Sequence, residues 1–353
     1  MIHYGPAITG RKIRFALVGC GRIAKNHFGA LDKHKDRVEL VGICDTDPAA
    51  LASATAATKA TAYANLDDLL AKSNSDIVVL TTPSGLHPEQ TIHIAGAGKH
   101  VMTEKPMATR WDDGKRMVQA CDAAGVRLFV VKQNRRNATL QLLKRAASKG
   151  RFGRIYMVNI NVFWTRPQAY YDSAKWRGTW EFDGGAFMNQ ASHYIDLLDW
   201  IVGPIESVQA YTATLERNIE VEDTGVANIR WRTGAMGSVN VTMLTYPKNL
   251  EGSITIIGEK GTVKIGGVAV NEIQHWEFAE PDPDDEKVKE ASYTTTSVYG
   301  FGHPLYYDNV INVLQGHAEP ETDGREGLRS LEVLMAIYRS ARDGHRVPLP
   351  LDY

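Results

Sequence analysis

The chain has 353 residues, 43% of them hydrophobic and 23% charged, with a formal net charge of -1. That length suits two domains, because single cores stop growing at roughly 250 to 300 residues. The near-neutral balance gives no electrostatic reason to expect nucleic acid or a membrane surface as a partner. Three widely spaced cysteines, Cys20, Cys44 and Cys121, fit structural thiols in a reducing compartment better than a disulfide framework or a zinc site.

The opening "MIHYGPAITGRK" lacks the apolar core of a secretory signal, and no stretch approaches the roughly 20 apolar residues of a membrane span. The cytoplasm is therefore the expected location. From Arg14 to Val131 short β-branched runs alternate with segments of helical period: "RFALVG", "VELVGICD", "DIVVLTTP", "HVMTEKP" and "RLFVVKQN". Such a rhythm predicts βαβ units around a parallel sheet, whose strands read as unbroken apolar runs because helices cover both faces. Residues 1–135 are thus expected to form an α/β dinucleotide-binding domain of Rossmann type.

After Arg154 the rhythm changes. "RIYMVNINVFW", "IESVQAYTATLE", "TGVANIRW", "AMGSVNVTML", "GSITIIGEKGTVKIGG" and "EIQHWEF" read as consecutive strands with Gly-rich turns and partial alternation. They predict a second, α+β domain over residues 136–353, built on a large, mostly antiparallel open sheet. The acidic "AEPDPDDEKVKEAS" reads as a solvated loop. "GREGLRSLEVLMAIYRSARDG" reads as a last amphipathic helix stopped by Gly344, which can pack back on the first domain.

Within "RFALVGCGRIAKNHFGAL" the pattern Gly19-x-Gly21-x-x-Ala24 follows a strand and opens a helix. Gly19 allows a tight turn, Gly21 lets the backbone approach a pyrophosphate, and Ala24 keeps helix and strand close, with Arg22 and Ile23 filling the turn. The next strand ends at Asp45, near the expected distance of roughly 20 residues. A carboxylate there accepts from a ribose 2'-hydroxyl and repels a 2'-phosphate, which favours NAD over NADP. Asp45 can equally be a turn or capping residue before Pro48. Two further strand ends point to the same carboxyl edge, where open α/β sheets bind ligands. "TTPSGLHPE" offers Thr82, Ser84 and His87 to the cofactor, although His87 also suits the start of the next helix. "TEKP" places Glu104 and Lys105 where a strand gives out.

At this point the chain resembles the Gfo/Idh/MocA family, that of glucose-fructose oxidoreductase and inositol dehydrogenase. The resemblance rests on the Gly19 turn, Asp45, "TTPSGLH", Glu104-Lys105-Pro106, "QNRR" at 133–136 with Asn134, and Gly184-Gly185 followed by His193-x-x-Asp196. It implies that Lys105 and His193 serve a substrate hydroxyl, and that dimers or tetramers form through the second sheet. A narrower likeness runs through "TRPQAYYDSAKWRGTWEFDGGAFMNQASHYIDLLDW". That segment looks like the subgroup oxidising the 3'-hydroxyl of UDP-N-acetylglucosaminuronate on the path to diacetamido uronic acids of lipopolysaccharide. In the broad family an aspartate often precedes the histidine by four residues, whereas this chain has Asn189. The amide either holds a sugar hydroxyl or marks a loss of acid-base function.

Alcohol oxidation requires a hydride acceptor and removal of the hydroxyl proton. His193 is the candidate base, since an unperturbed pKa of about 6.5 suits transfer near neutrality. Helical spacing puts Asn189 and Asp196 on its stripe, so Asp196 is expected to orient the ring. Lys105, with a reference pKa of about 10.4, would stay charged and stabilise the alkoxide unless burial depresses it, in which case it could take the proton first. For a uronate and a diphosphate, Arg166 and Arg177 supply forked donors, while Tyr170, Tyr171 and Trp176 stack on rings or simply pack. Trp176 and Arg177 can instead meet the cofactor. His303 and Tyr307 can wall the pocket or serve the core. No cluster has metal-ligand spacing, so no metal is expected. Two other readings remain open: oxidation of a free sugar or cyclitol, and a non-catalytic NAD-binding protein.

Overall fold

The computed structural model describes residues 4–295 and 301–351, which leaves the first three residues of the opening stretch and the last two of the chain outside. The chain divides into two units, residues 1–132 with 303–328, and residues 133–302 with 329–353. A single boundary after residue 135 is therefore corrected. The physical reason is burial: Tyr306, Tyr307, Val310, Ile311, Val313 and Leu314 enter the same core as Ile13, Phe15 and Leu17.

The first unit is a six-stranded parallel sheet of β1 (Ile13–Val18), β2 (Val38–Cys44), β3 (Thr61–Tyr63), β4 (Ile77–Leu80), β5 (His100–Thr103) and β6 (Leu128–Val130), in the order β3-β2-β1-β4-β5-β6. The expected strands all form. The three-residue edge strand β3 was not expected; "TAY" is too short for a period and pairs only with the end of β2. Strand order reverses between β1 and β4, and in such sheets ligands bind outside the carboxyl ends at that switch point.

The second unit carries eight strands: β7 (Ile155–Phe163), β8 (Ile205–Ala213), β9 (Thr224–Trp231), β10 (Met236–Thr242), β11 (Glu251–Gly258), β12 (Gly261–Gly266), β13 (Glu272–Phe278) and β14 (Val347–Pro348). Their order is β13-β12-β11-β7-β10-β9-β8-β14. All pairings are antiparallel except β7 with β10. One face is apolar and buried, with Val158, Ile160, Val239, Val241, Ile254 and Ile256. The other leaves Met157, Ile257, Met236, Val226 and Tyr211 exposed. The acidic segment is not a free loop. It forms a helical turn Pro283–Lys287, because Lys149, Arg145 and Lys287 converge on Asp284 and Arg151 holds Asp285. The last helix runs Gly324–Asp343 and stops at Gly344, whose φ is +72°.

Candidate functional site

The β1 turn fits a pyrophosphate. Gly19 has φ +95°, and a Cβ there would lie 2.8 Å from the Thr81 carbonyl carbon and 2.9 Å from the Thr82 nitrogen. Gly21 is different: a Cβ there would meet no atom of the described residues within 4 Å, so packing does not require a glycine at this position. The following helix Ala24–Lys33 has no side-chain cap and no acidic residue in its first turn, leaving its amide end to an anion. Arg22 is exposed, Ile23 half-buried and Ala24 buried. Asp45, half-buried at the tip of β2, accepts from Cys20 N–H at 2.6 Å and Asp47 N–H at 2.8 Å. Those two bonds brace the carboxylate beside the glycine turn. These residues fit a bound NAD.

Around β4 and β5 the outcome is mixed. Thr82 stays half-buried with its hydroxyl donating to Gln90 Oε1 at 2.6 Å, and Ser84 is buried. His87, offered to the cofactor by the sequence, is buried at the start of its helix. Its ring is 1% exposed, and its nitrogens face the carbonyls of Thr82 at 2.9 Å and Pro106 at 3.1 Å. A neutral ring donates to one of these carbonyls and packs against the other. Glu104 likewise points inward. Its Oε1 lies 3.0 Å from His27 Nε2 and 3.4 Å from His303 Nε2, while Oε2 accepts from Lys105 N–H at 3.1 Å. Lys105 is half-buried. Tyr307 is buried against Phe15 and pairs with His27 Nδ1 at 2.8 Å. His303 and Tyr307 are therefore parts of this buried network.

In the second unit the stretch around His193 is not one regular helix. Ala186–Gln190 and Leu198–Val202 are π-helical turns flanking the α-helix Ser192–Leu197. The wider turn breaks the four-residue stripe expected for Asn189 and His193. Asn189 Nδ2 donates to Asp183, a buried carboxylate that also accepts from Gly178 N–H at 2.7 Å. His193 is 7% exposed, and its Nε2 lies 3.0 Å from Gln133 Nε2. Asp196 has a partner the sequence did not show: Arg135 donates to both its oxygens at 2.7 Å in a buried fork. Asn134 is buried, and its Oδ1 has no hydrogen-bond partner.

The Arg and aromatic segment forms one cluster. Arg166 Nε donates to Gln190 Oε1 at 3.0 Å, and Gln190 Nε2 donates to Tyr170 Oη at 3.2 Å. Arg177 donates to the same phenol at 2.7 Å and lies over the rings of Tyr170 and Trp176, 4.4 Å from each centroid. Tyr171 is corrected to packing: it is buried, and burial pushes its phenol pKa up. The sequence reading left Gln133, Arg135 and His27 without roles. "QNRR" was a signal for the first two, but nothing in the sequence pairs His27 with Glu104 at a separation of 77 residues.

Burial raises all three thiols, Cys20 to about 12, Cys44 to about 11 and Cys121 to about 12, which suits structural roles. Among the described residues His27, Glu104 and His303 are the one group with metal-ligating atoms close together. Their separations are hydrogen-bond lengths, and both imidazoles have the carboxylate as acceptor. No helix among the described residues is long and apolar enough to cross a membrane.

The profile described as "Oxidoreductase family, NAD-binding Rossmann fold" matches residues 13–132, and that of the family's C-terminal alpha/beta domain matches residues 144–349. The WlbA dehydrogenase of Bordetella pertussis, solved in complex with NADH and UDP-GlcNAcA, is 75% identical with a TM-score of 0.96, over 98% of this chain and 100% of that one. The WlbA dehydrogenase of Chromobacterium violaceum, in complex with the same two molecules, is 73% identical with a TM-score of 0.95, over 99% of both chains. D-apiose dehydrogenase of Paraburkholderia graminis is 24% identical over 97% of this chain and 91% of its own length.

Proposed function

The chain belongs to the Gfo/Idh/MocA oxidoreductase family, and from that premise we propose that it uses NAD to oxidise the 3'-hydroxyl of UDP-N-acetylglucosaminuronate. The product is the 3-keto sugar, on a route to the diacetamido uronic acids of lipopolysaccharide O-antigen. One observation carries the reading: likeness of 73–75% identity along essentially the whole chain to two dehydrogenases solved with NADH and that nucleotide sugar.

In the reaction the C3 carbon loses a hydride and its hydroxyl loses a proton. When bound, NAD supplies the hydride acceptor; the chain's own groups manage the proton and the charge. His193 is the base, and the Lys105 ammonium holds the developing alkoxide. In this reading Arg166, held by Gln190, and Tyr170 serve the substrate's anionic groups, and Arg177 and Trp176 serve the cofactor. Asn189, anchored on Asp183, binds a sugar hydroxyl.

The test incubates the purified protein with NAD and a panel of UDP-sugars, uronates and free polyols, following reduced nicotinamide and product mass. The assay is repeated with 2-oxoglutarate present, because a retained cofactor would otherwise conceal turnover. UDP-N-acetylglucosaminuronate should be oxidised; turnover of a free polyol alone would sink the assignment. Lys105→Ala and His193→Asn should each keep NAD binding and lose roughly 100-fold or more in kcat.

A homotetramer or dimer through the second sheet is part of the same proposal. The row Ile257, Met157 and Met236 lies side by side on β11, β7 and β10, and all three are exposed. An apolar row of that kind suits a partner chain. Light scattering should give a multiple of the 39.0 kDa chain mass, and Met157→Lys should lower it. The high thiol pKa values and the lack of disulfides among the described cysteines suit a reducing cytoplasm.

A further inference from the structure

The buried network beneath Lys105 has more order than core packing requires. Glu104 is 6% exposed, His27 and Tyr307 are fully buried, and His303 is 2% exposed. A carboxylate only accepts, so both imidazoles must present Nε2–H to its Oε1. His27 Nδ1 is then an acceptor, and the Tyr307 hydroxyl donates to it. The backbone N–H of Lys105 completes the set on Oε2. Three donors from three parts of the chain thus converge on one buried anion immediately before Lys105. Burial alone would raise the Glu104 pKa; the bonds from His27 and His303 overcome this and hold it well below the usual carboxylate range. Burial lowers the His27 pKa despite the neighbouring carboxylate, which leaves the imidazole neutral. Tyr307 and His87 also feel this charge: burial raises the Tyr307 phenol, with the carboxylate adding to it, and burial lowers His87.

We propose that Glu104, fixed by His27 and His303, is a positioning residue that sets the backbone at Lys105 and keeps its ammonium charged. The proposal rests on the reading of Lys105 as the group that meets the reacting oxygen. Glu104 stays anionic beside a neutral His27, one residue before a side chain that must be cationic to stabilise an alkoxide. A nearby buried anion favours the protonated amine.

The test reads the Lys105 amine directly. Reductive methylation of the apo protein over a range of pH, with mass spectrometry of the Lys105 peptide, gives the midpoint at which the amine becomes reactive. In Glu104→Gln, which keeps shape and removes charge, that midpoint should fall by about one unit or more. In Glu104→Asp, which keeps the charge, it should stay near the wild-type value. The alkaline limb of kcat/KM should move with it in the Gln variant and hold in the Asp variant. An unmoved methylation midpoint in Glu104→Gln overturns the proposal, as does an equal shift in both variants. Should Glu104→Gln fail to fold, the wild type decides alone: a Lys105 midpoint more than about one unit below the free-lysine value of about 10.4 overturns it, and one at or above that value supports it. Because methylation needs no substrate, failure of the sugar assignment shows as absent turnover with this readout intact.

Discussion

Gln133 Nε2 and His193 Nε2 face each other at 3.0 Å inside the second unit. An amide nitrogen carries only donors, so the imidazole nitrogen opposite it is an acceptor, and a neutral His193 keeps its proton on Nδ1. Gln133 therefore selects the tautomer of the candidate base. Replacing it with Leu should lower kcat by roughly tenfold, about 1.4 kcal/mol of barrier, with NAD affinity unchanged. Gln133→Glu should do something else. A carboxylate opposite the ring favours imidazolium, so the base gives up its proton only at higher pH, and the acid limb of kcat/KM should move upward. Coincident acid limbs in wild type and Gln133→Glu would show that the amide does not govern this ring.

Arg135 and Asp196 predict a stability effect. Their forked pair has side chains only 8% and 4% exposed, so removing one partner strips a buried charge of its forked ion pair. Arg135→Met should cost about 3–5 kcal/mol in urea unfolding. Adding Asp196→Leu should recover much of that loss, because an apolar pair removes both desolvation penalties. A double variant no more stable than Arg135→Met alone would contradict this account.

Much of this arrangement was legible in the sequence, and what was not has a common cause. The Gly19 turn, Asp45 and the strand ends could be read because each depends on neighbours within a few residues. The six parallel strands and the antiparallel sheet followed from apolar period in the same way. The fates of His87, Asp196 and Glu104 depended on partners far along the chain: Pro106 for the first, Arg135 for the second, His27 and His303 for the third. Local spacing suggested that Asp196 orients His193, but it gave no sign of the buried guanidinium 61 residues away that donates to the same carboxylate. The π-turn at Ala186–Gln190 also defeats a stripe argument, since helical spacing assumes an unbroken α-helix.

Glu222 sets a pH dependence. It is 3% exposed; burial raises its carboxyl to about 7, against hydrogen bonds from Phe187 N–H and the Tyr338 hydroxyl. It also explains Gly185, where a Cβ would sit 1.7 Å from Glu222 Oε2. The folded protein keeps this proton at a pH where the unfolded chain has released it. Wild-type stability should therefore fall as pH rises from about 4.5 to about 7, by on the order of 2–3 kcal/mol, and level off above. Glu222→Gln resembles the protonated acid and should lose that slope. Unfolding measured at pH 5 and pH 8 should show the variant equal to wild type at the first and more stable at the second.

The two glycines of the β1 turn should fail in different ways when each becomes alanine. At Gly19 a methyl meets the backbone at Thr81 and Thr82, and φ is +95°, so neither a side-chain shift nor a rotamer change relieves it. Gly19→Ala should be destabilised by about 1–3 kcal/mol, from left-handed strain plus the clash. At Gly21 no atom of the described residues lies within 4 Å of the added carbon, and thermal unfolding should change by no more than about 0.5 kcal/mol. What the methyl occupies instead is the space in which a pyrophosphate approaches the helix amides. Gly21→Ala should therefore bind NAD at least about tenfold more weakly by calorimetry while remaining as stable as wild type without cofactor. Normal affinity in a stable Gly21→Ala would mean that the pyrophosphate lies elsewhere. The comparison separates a glycine required by the fold from one required by the ligand, although both belong to the same short motif.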